Sequence, residues 1–224
     1  MNRGALALRA ILKLISGFAI LGGLIFGAAG TIHFTRGWML LAALGIPMLA
    51  LGLVLLLRSP EVLARRIEAG ESRPEQKRVV ALMGWLIVAS LALSGLNVRL
   101  GWPGLPLWAS VAALIVFEIG YGLYAAVMRQ NAYAARTVRV EVGQKLMDTG
   151  LYGLVRHPMY TSVCLIFPTM PLILGSWIAF LPMLALPVLL ARRIKNEEAL
   201  LEQDLPGYRA YKRRVKYRMI PFVW

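Results

Sequence analysis

The stretch YTSVCLIFPTMPLILGSWIAFLPMLALPVLLA, residues 160–191, is mostly apolar but is interrupted by four prolines and by the pair Gly175-Ser176. A membrane span needs about 20 apolar residues, so this stretch is too long for one straight helix and too short for two full ones. Proline removes a backbone donor and kinks a helix. The stretch therefore predicts a helical hairpin that turns at LGSW, residues 174–177, with arms over roughly 158–174 and 177–195.

Four further apolar stretches precede this hairpin, at residues 11–30, 38–57, 79–98 and 105–128. Each is long enough to cross a hydrocarbon core as an α-helix. The composition agrees, because 58% of the chain is hydrophobic and the mean hydropathy is +0.65. We therefore predict an all-α, polytopic transmembrane bundle of five or six membrane helices. The polar stretch EVLARRIEAGE, between the second and third spans, predicts a short interfacial helix.

Positive charge lies almost entirely on one side of these spans. Of the 25 Lys and Arg residues, 23 fall at the N-terminus, between the second and third spans, after the fourth span or in the tail, and only Arg36 and Arg99 fall on the other side. The positive-inside rule then predicts a multi-pass protein with cytoplasmic N- and C-termini, which we expect in a bacterial inner (plasma) membrane. Topology and anionic headgroups account for the net charge of +14, so nucleic-acid binding is not expected.

Two clusters of polar and aromatic residues flank the hairpin. GLYGLVRHPMY occupies residues 150–160, and RRIKNEEALLEQDLPGYRAYKRRVKYRMIPFVW occupies residues 192–224. Folding the hairpin brings both clusters to the same cytoplasmic mouth. We therefore divide the chain into four transmembrane helices at 1–128 and a catalytic region at 129–224. With two His and one Cys, no metal-ligand spacing is present and no metal site is expected.

The order of motifs resembles a known family of membrane enzymes. RHPMY, a Pro-rich hairpin, R-x-x-x-E-E, GY-x-x-Y and a closing IP-x-x-W are similar to the isoprenylcysteine carboxyl methyltransferase family, which is related to the phospholipid methyltransferases. The stretch NAYAARTVRVEVGQKLMDTG, residues 131–150, also resembles the family segment that leads into its motif. Leu151 departs from the pattern, because the family usually has Pro at this turn. The resemblance covers roughly residues 129–224.

This resemblance implies an S-adenosylmethionine-dependent methyltransferase that acts on a lipid-like or otherwise hydrophobic acceptor, with the isoprenylcysteine carboxylate as the best-known example. No obligatory protein partner is inferred. The implied catalytic residues are Arg193, Glu197 and Glu198. The implied cofactor-binding residues are Gln144, Tyr152, His157, Pro158, Tyr160, Arg193 and Glu197.

The chemistry of these side chains fits the methyl donor. An acidic group suits its ammonium or ribose diol, and Arg193 or His157 suits its carboxylate. Tyr152 and Tyr160 offer aromatic faces to adenine or to the sulfonium cation. A carboxylate acceptor needs no general base, whereas an amine or thiol benefits from one, for which Glu198 is the candidate. Arg193 is also suited to orienting an anionic acceptor.

Each of these signals has a structural alternative. Arg193 and Glu197, spaced i, i+4, also fit an ordinary surface ion pair on a helix. His157 also fits a helix-entry residue before a proline at the first helical position. The basic run YKRRVKYR, residues 211–218, is typical of a membrane-surface anchor, while Tyr208 and Tyr211 are candidates for closing the cofactor pocket.

Three polar residues outside the two clusters leave alternatives open. Glu118 lies in mid-span, where a carboxyl group is costly, and is expected to line an acceptor tunnel, to pair with a polar group such as Asn97, or to be a structural residue. Asn131 is expected to cap the fourth span or to face the site. His33 is expected to be a solvated loop histidine.

Other functions remain open at this point. A phospholipid amine N-methyltransferase shares the same motifs, and NADPH-dependent membrane reductases of the sterol type resemble the C-terminal half, although no Gly-rich dinucleotide fingerprint is present. A membrane scaffold or small transporter is the non-enzymatic alternative. A transporter favours paired broken segments in two halves, and only one broken region occurs here.

Overall fold

The computed structural model describes residues 3–68, 71, 74–131 and 144–224. In chain order, the helices in these ranges are α1 (Arg3–Ala29), α2 (Thr35–Arg58), α3 (Pro60–Glu68), α4 (Pro74–Arg99), α5 (Leu107–Gln130), α6 (Leu151–Leu154), α7 (Pro158–Ile173), α8 (Trp177–Phe180), α9 (Leu186–Asp204) and α10 (Tyr208–Arg214), with a 3₁₀ turn at Leu181–Ala185.

The long helices agree with the predicted spans. Among the described residues, five helical segments are long and apolar enough to cross a membrane, namely α1, α2, α4, α5 and the combined segment Trp177–Asp204, while α7 is a shorter apolar helix. No strand occurs in the described ranges. The prediction of an all-α, polytopic transmembrane bundle is confirmed, and the protein is an integral membrane protein. A short helix, α3, is present where the interfacial helix was predicted.

The predicted hairpin turns where the sequence places it. Helix α7 ends at Ile173, and Gly175 adopts a left-handed backbone with φ of +82° that reverses the chain. The Ser176 side chain then accepts a hydrogen bond from the Ala179 N–H at 3.2 Å and caps α8. The second arm differs from the single helix expected over 177–195. It consists of α8, the 3₁₀ turn and α9, because Pro182 and Pro187 interrupt regular α-helical bonding.

The hairpin turn joins the other outer loops at one end of the bundle. The Leu105 N–H donates to the Gly175 carbonyl at 2.7 Å. The Ser176 hydroxyl donates to the Asn97 Oδ1 at 2.9 Å, and the Asn97 Nδ2 donates to the Trp102 carbonyl at 3.0 Å. The side-chain amide of Asn97 is therefore hydrogen-bonded to Ser176 and Trp102 at this end of the bundle, and the suggested pairing of Asn97 with Glu118 is wrong.

Close helix contact positions α7 inside the bundle. Gly120 of α5 lies directly against α7, and a Cβ atom at this position would come within 2.8 Å of the Leu165 Cβ. The side chains of Phe117, Ile166 and Ile173 are buried in the same interface. The Ser110 hydroxyl donates to the Leu172 carbonyl at 3.0 Å. With α7 fixed against α5, Pro158 at its start is held at the end of the bundle opposite the hairpin turn.

Helix α3 covers that opposite end. The Lys13 ammonium donates to the carbonyl of Ile67, which brings α3 against α1. The Arg66 guanidinium lies 5.4 Å from the centre of the Tyr124 ring, at the end of α5. The Arg66 Nη2 also lies 3.7 Å from the Met159 Sδ, so α3 contacts the first turn of α7.

Candidate active site

The two sequence clusters meet at the α3 end of the bundle. Arg156 and His157 precede α7, and Arg193 and Glu198 lie near the middle of α9. All four are buried, Glu198 to a residual exposure of 2%. Charged side chains are almost never this buried unless they are paired. The convergence predicted from the hairpin is thus present, and it places several charges in one dry region.

Glu198 is surrounded by cations. Its Oε1 accepts from the Arg156 Nε at 2.7 Å and lies 3.3 Å from the His157 Nε2. Its Oε2 accepts from the Arg218 Nε at 3.1 Å and lies 3.7 Å from the Lys212 Nζ. Hydrogen bonds from cations stabilise the ionised carboxylate and make it a poor proton acceptor. The geometry therefore favours a positioning role for Glu198 over the general base suggested from the sequence.

The C-terminal segment is built into this cluster. The backbone N–H groups of Arg156 and His157 donate to the carbonyls of Tyr217 and Arg218 at 2.9 and 2.8 Å. The Arg156 Nη1 donates to the carbonyls of Val215 and Lys216 at 2.6 and 2.8 Å. The end of the run YKRRVKYR is therefore more than a surface anchor, because it holds the segment that leads into α7.

A second polar network centres on Tyr160. Its hydroxyl donates to the Glu197 Oε2 at 2.6 Å and accepts from the Arg193 Nε at 2.9 Å. The Arg193 Nη1 donates to the Gln76 Oε1 at 3.3 Å, and its Nη2 donates to the Glu71 Oε2 at 3.2 Å. Arg193 and Glu197 therefore belong to a network that links α7 and α9, beyond the surface pair that their spacing alone would suggest.

Aromatic rings line the start of α7. The rings of His157 and Tyr160 stack with their centres 5.7 Å apart. The Tyr152 hydroxyl accepts from the Asn131 Nδ2 at 3.0 Å, and burial raises the pKa of Tyr152 to about 12. The side chain of Asn131 thus faces this region, while its backbone N–H closes α5 on the Val127 carbonyl.

The remaining expected residues are placed as follows. Pro158 is buried as the first residue of α7. Gln144 is half-buried and immediately follows residues 132–143, so most of the 131–150 segment of the resemblance lies outside the described residues. His33 is exposed in its loop, as expected. Glu118 is exposed on α5 and forms no hydrogen bond or ion pair within the described part of the chain.

Five residues of these networks were missed as site residues. Arg156, Arg218 and Lys212 contact Glu198, and Glu71 and Gln76 contact Arg193. Arg156 belongs to the RHPMY motif, so its position beside His157 could have identified it as a site residue. No local pattern distinguishes Glu71 or Gln76 from the other polar residues of the 58–78 loop.

Two buried oxygen atoms near the networks have no partner among the described residues. They are the Glu71 Oε1 and the Tyr208 hydroxyl oxygen. Burial, with Glu198 and Glu197 nearby, raises the pKa of Tyr208 above its ordinary value, so its hydroxyl stays neutral. Buried polar atoms are usually hydrogen-bonded, so these two oxygen atoms are candidate contacts for a bound ligand.

Part of the chain matches a known protein family. Residues 111–203 match the model of the Isoprenylcysteine carboxyl methyltransferase (ICMT) family. The match begins within α5 and ends within α9, so it includes the RHPMY segment, the hairpin and the Arg193–Glu198 turns. The resemblance found in the sequence is confirmed for this region, which is isoprenylcysteine carboxyl methyltransferase-like. No curated protein matches the chain.

Proposed function

We propose that the protein transfers a methyl group from S-adenosylmethionine to a lipid-like or otherwise hydrophobic acceptor, at the end of the bundle where α7 begins. The observation that carries this proposal is the partly buried network Glu197–Tyr160–Arg193, formed where the two family motifs meet. Since 23 of the 25 Lys and Arg residues belong to segments assigned to the same side, we place this end at the cytoplasmic face of the membrane.

The residues present fit the donor. Arg193 suits its carboxylate, and Glu197 suits its ribose diol or ammonium. The stacked rings of His157 and Tyr160 offer an apolar face for the base. The buried hydroxyl of Tyr208 is a further available donor or acceptor. We therefore assign the donor to the region where the start of α7 meets Arg193 and Glu197 of α9, with Tyr152, Gln144 and Pro158 as further contributors implied by the family resemblance.

The engagement of Glu198 by cations favours a carboxylate acceptor, which needs no general base. The donor supplies an activated methyl group on a sulfonium and leaves as the neutral thioether S-adenosylhomocysteine. When a carboxylate attacks, opposite charges cancel, so a dry and aligned site accelerates the step and no proton has to be removed. Glu198 is fully engaged by Arg156, Arg218 and His157. This arrangement supports methyl-ester formation, as in an isoprenylcysteine type of reaction, over methylation of an amine.

The decisive experiment is methyl transfer by the purified protein. Isotopically labelled S-adenosylmethionine is incubated with an N-acylated prenylcysteine or with total membrane lipid, and the labelled product is treated with alkali. We expect label that alkali releases as methanol, which identifies a methyl ester. Alkali-stable label on an aminophospholipid would instead identify an amine N-methyltransferase.

Matched variants connect the activity to the site. Arg193→Ala should abolish transfer, whereas Arg192→Ala should retain it, because Arg192 is exposed on the same turn of α9. Equal activity in both variants would contradict the assignment. If NADPH raised the melting temperature of the wild-type protein and S-adenosylhomocysteine did not, the membrane-reductase alternative would replace the methyltransferase assignment.

A further inference from the structure

Glu71 is a buried acid that the family match does not include. It lies in the connection between α3 and α4, upstream of residues 111–203. Its side chain is only 6% exposed, and its Oε2 accepts from the Arg193 Nη2 at 3.2 Å. Its Oε1 is buried without a hydrogen bond from any described residue. Because an unsatisfied carboxylate oxygen is costly to bury, this atom indicates a donor that a ligand would supply.

We propose that Glu71 binds the ammonium group of the methyl donor beside Arg193, which binds the carboxylate of the same amino-acid moiety. An α-amino acid carries its two charged groups on one carbon atom. The carboxylate of Glu71 and the guanidinium of Arg193, whose nearest atoms are 3.2 Å apart, present the opposite charges at a similar spacing. This inference rests on the proposed function and names the residue that recognises one end of the donor.

Gln76 keeps the pair in place. Its Oε1 accepts from the Arg193 Nη1 at 3.3 Å, and its Nε2 donates to the Arg193 carbonyl at 3.4 Å. Gln76 is itself buried, on the first turn of α4. The contacts of Nη1 with Gln76 and of Nε with Tyr160 hold the guanidinium in an orientation in which Nη2 faces Glu71.

The charge balance of this network supports a cationic ligand. Among the described residues, this network joins one basic side chain, Arg193, to two acidic ones, Glu71 and Glu197, through Tyr160 and direct contact. The donor carries an ammonium, a sulfonium and a carboxylate, and therefore a net charge of +1. Since Tyr160 already donates to Glu197, that carboxylate suits the ribose diol, and Glu71 remains the acid for the ammonium.

Two ligands separate this role from a general effect on the fold. S-Adenosylhomocysteine contains the amino-acid group, whereas 5′-methylthioadenosine keeps the adenosine and the sulfur but lacks it. Binding of both is measured by calorimetry on the full-length protein in detergent. Glu71→Gln should weaken S-adenosylhomocysteine about ten- to hundredfold, as expected for loss of a charged hydrogen bond, and should leave 5′-methylthioadenosine unchanged.

Glu75→Gln is the matched control. Glu75 is exposed on the first turn of α4, so its substitution removes the same charge nearby and should alter neither affinity. Unchanged S-adenosylhomocysteine binding in Glu71→Gln would overturn the inference, and so would an equal loss for both ligands. Wild-type protein that bound neither ligand would instead overturn the donor site as a whole, which is a distinguishable result.

Discussion

Glu198→Gln tests whether the buried carboxylate organises the site. The substitution keeps the shape of the side chain but removes the charge that Arg156, Arg218 and His157 face, at 2.7, 3.1 and 3.3 Å respectively. Removing one partner of a buried ion pair leaves an uncompensated charge and costs about 3–5 kcal/mol. Because Arg156 and Glu198 are both buried, we expect a loss in this range, measured as the free energy of unfolding in a denaturant titration in mixed micelles.

The control for this measurement is a more exposed pair on the same helix. Glu202 contacts Lys212 with its side chain 31% exposed, so Glu202→Gln should lower the free energy of unfolding by less than about 1 kcal/mol. A Glu198→Gln loss no larger than the Glu202→Gln loss would refute the positioning role. So would a variant that unfolds like the wild type but loses all methyl transfer, because that result would make Glu198 a catalytic group.

Two further substitutions address the donor site and the hairpin. Tyr160→Phe removes the hydroxyl that links Arg193 to Glu197 and should raise the KM for the methyl donor about tenfold. Tyr217→Phe is the control and should leave this KM unchanged. An unchanged KM in Tyr160→Phe would show that its hydroxyl does not contribute to donor binding. Gly175→Ala should lower the free energy of unfolding by about 1–2 kcal/mol, because φ is +82° and the new Cβ would clash with the side chain of Arg36. A free energy of unfolding equal to that of the wild type would show that the turn accommodates the Cβ without strain.

The fold was predictable because its signals are local and repeated. Runs of apolar residues define the spans, and the prolines around Gly175 define the hairpin. Because the hairpin reverses the chain, it brings Arg156 and His157 next to Glu198 of α9. The interrupted second arm was not predicted, because nothing local distinguishes a proline that starts a new helix from one that kinks an existing helix. Glu71 and Gln76 were missed for a different reason: they lie 122 and 117 positions from Arg193 in the sequence, so no local pattern indicates their contact with it.

The contacts of Arg193 also bear on the proposed division at residue 128, which remains a prediction. The family match covers residues 111–203, yet the guanidinium of Arg193 is held by Gln76 and Glu71, which both precede it. A buried guanidinium that lost these two partners would have to find other acceptors or water. The first four membrane helices therefore do more than anchor the C-terminal region, because the start of α4 fixes the orientation of a residue on which the proposed chemistry depends.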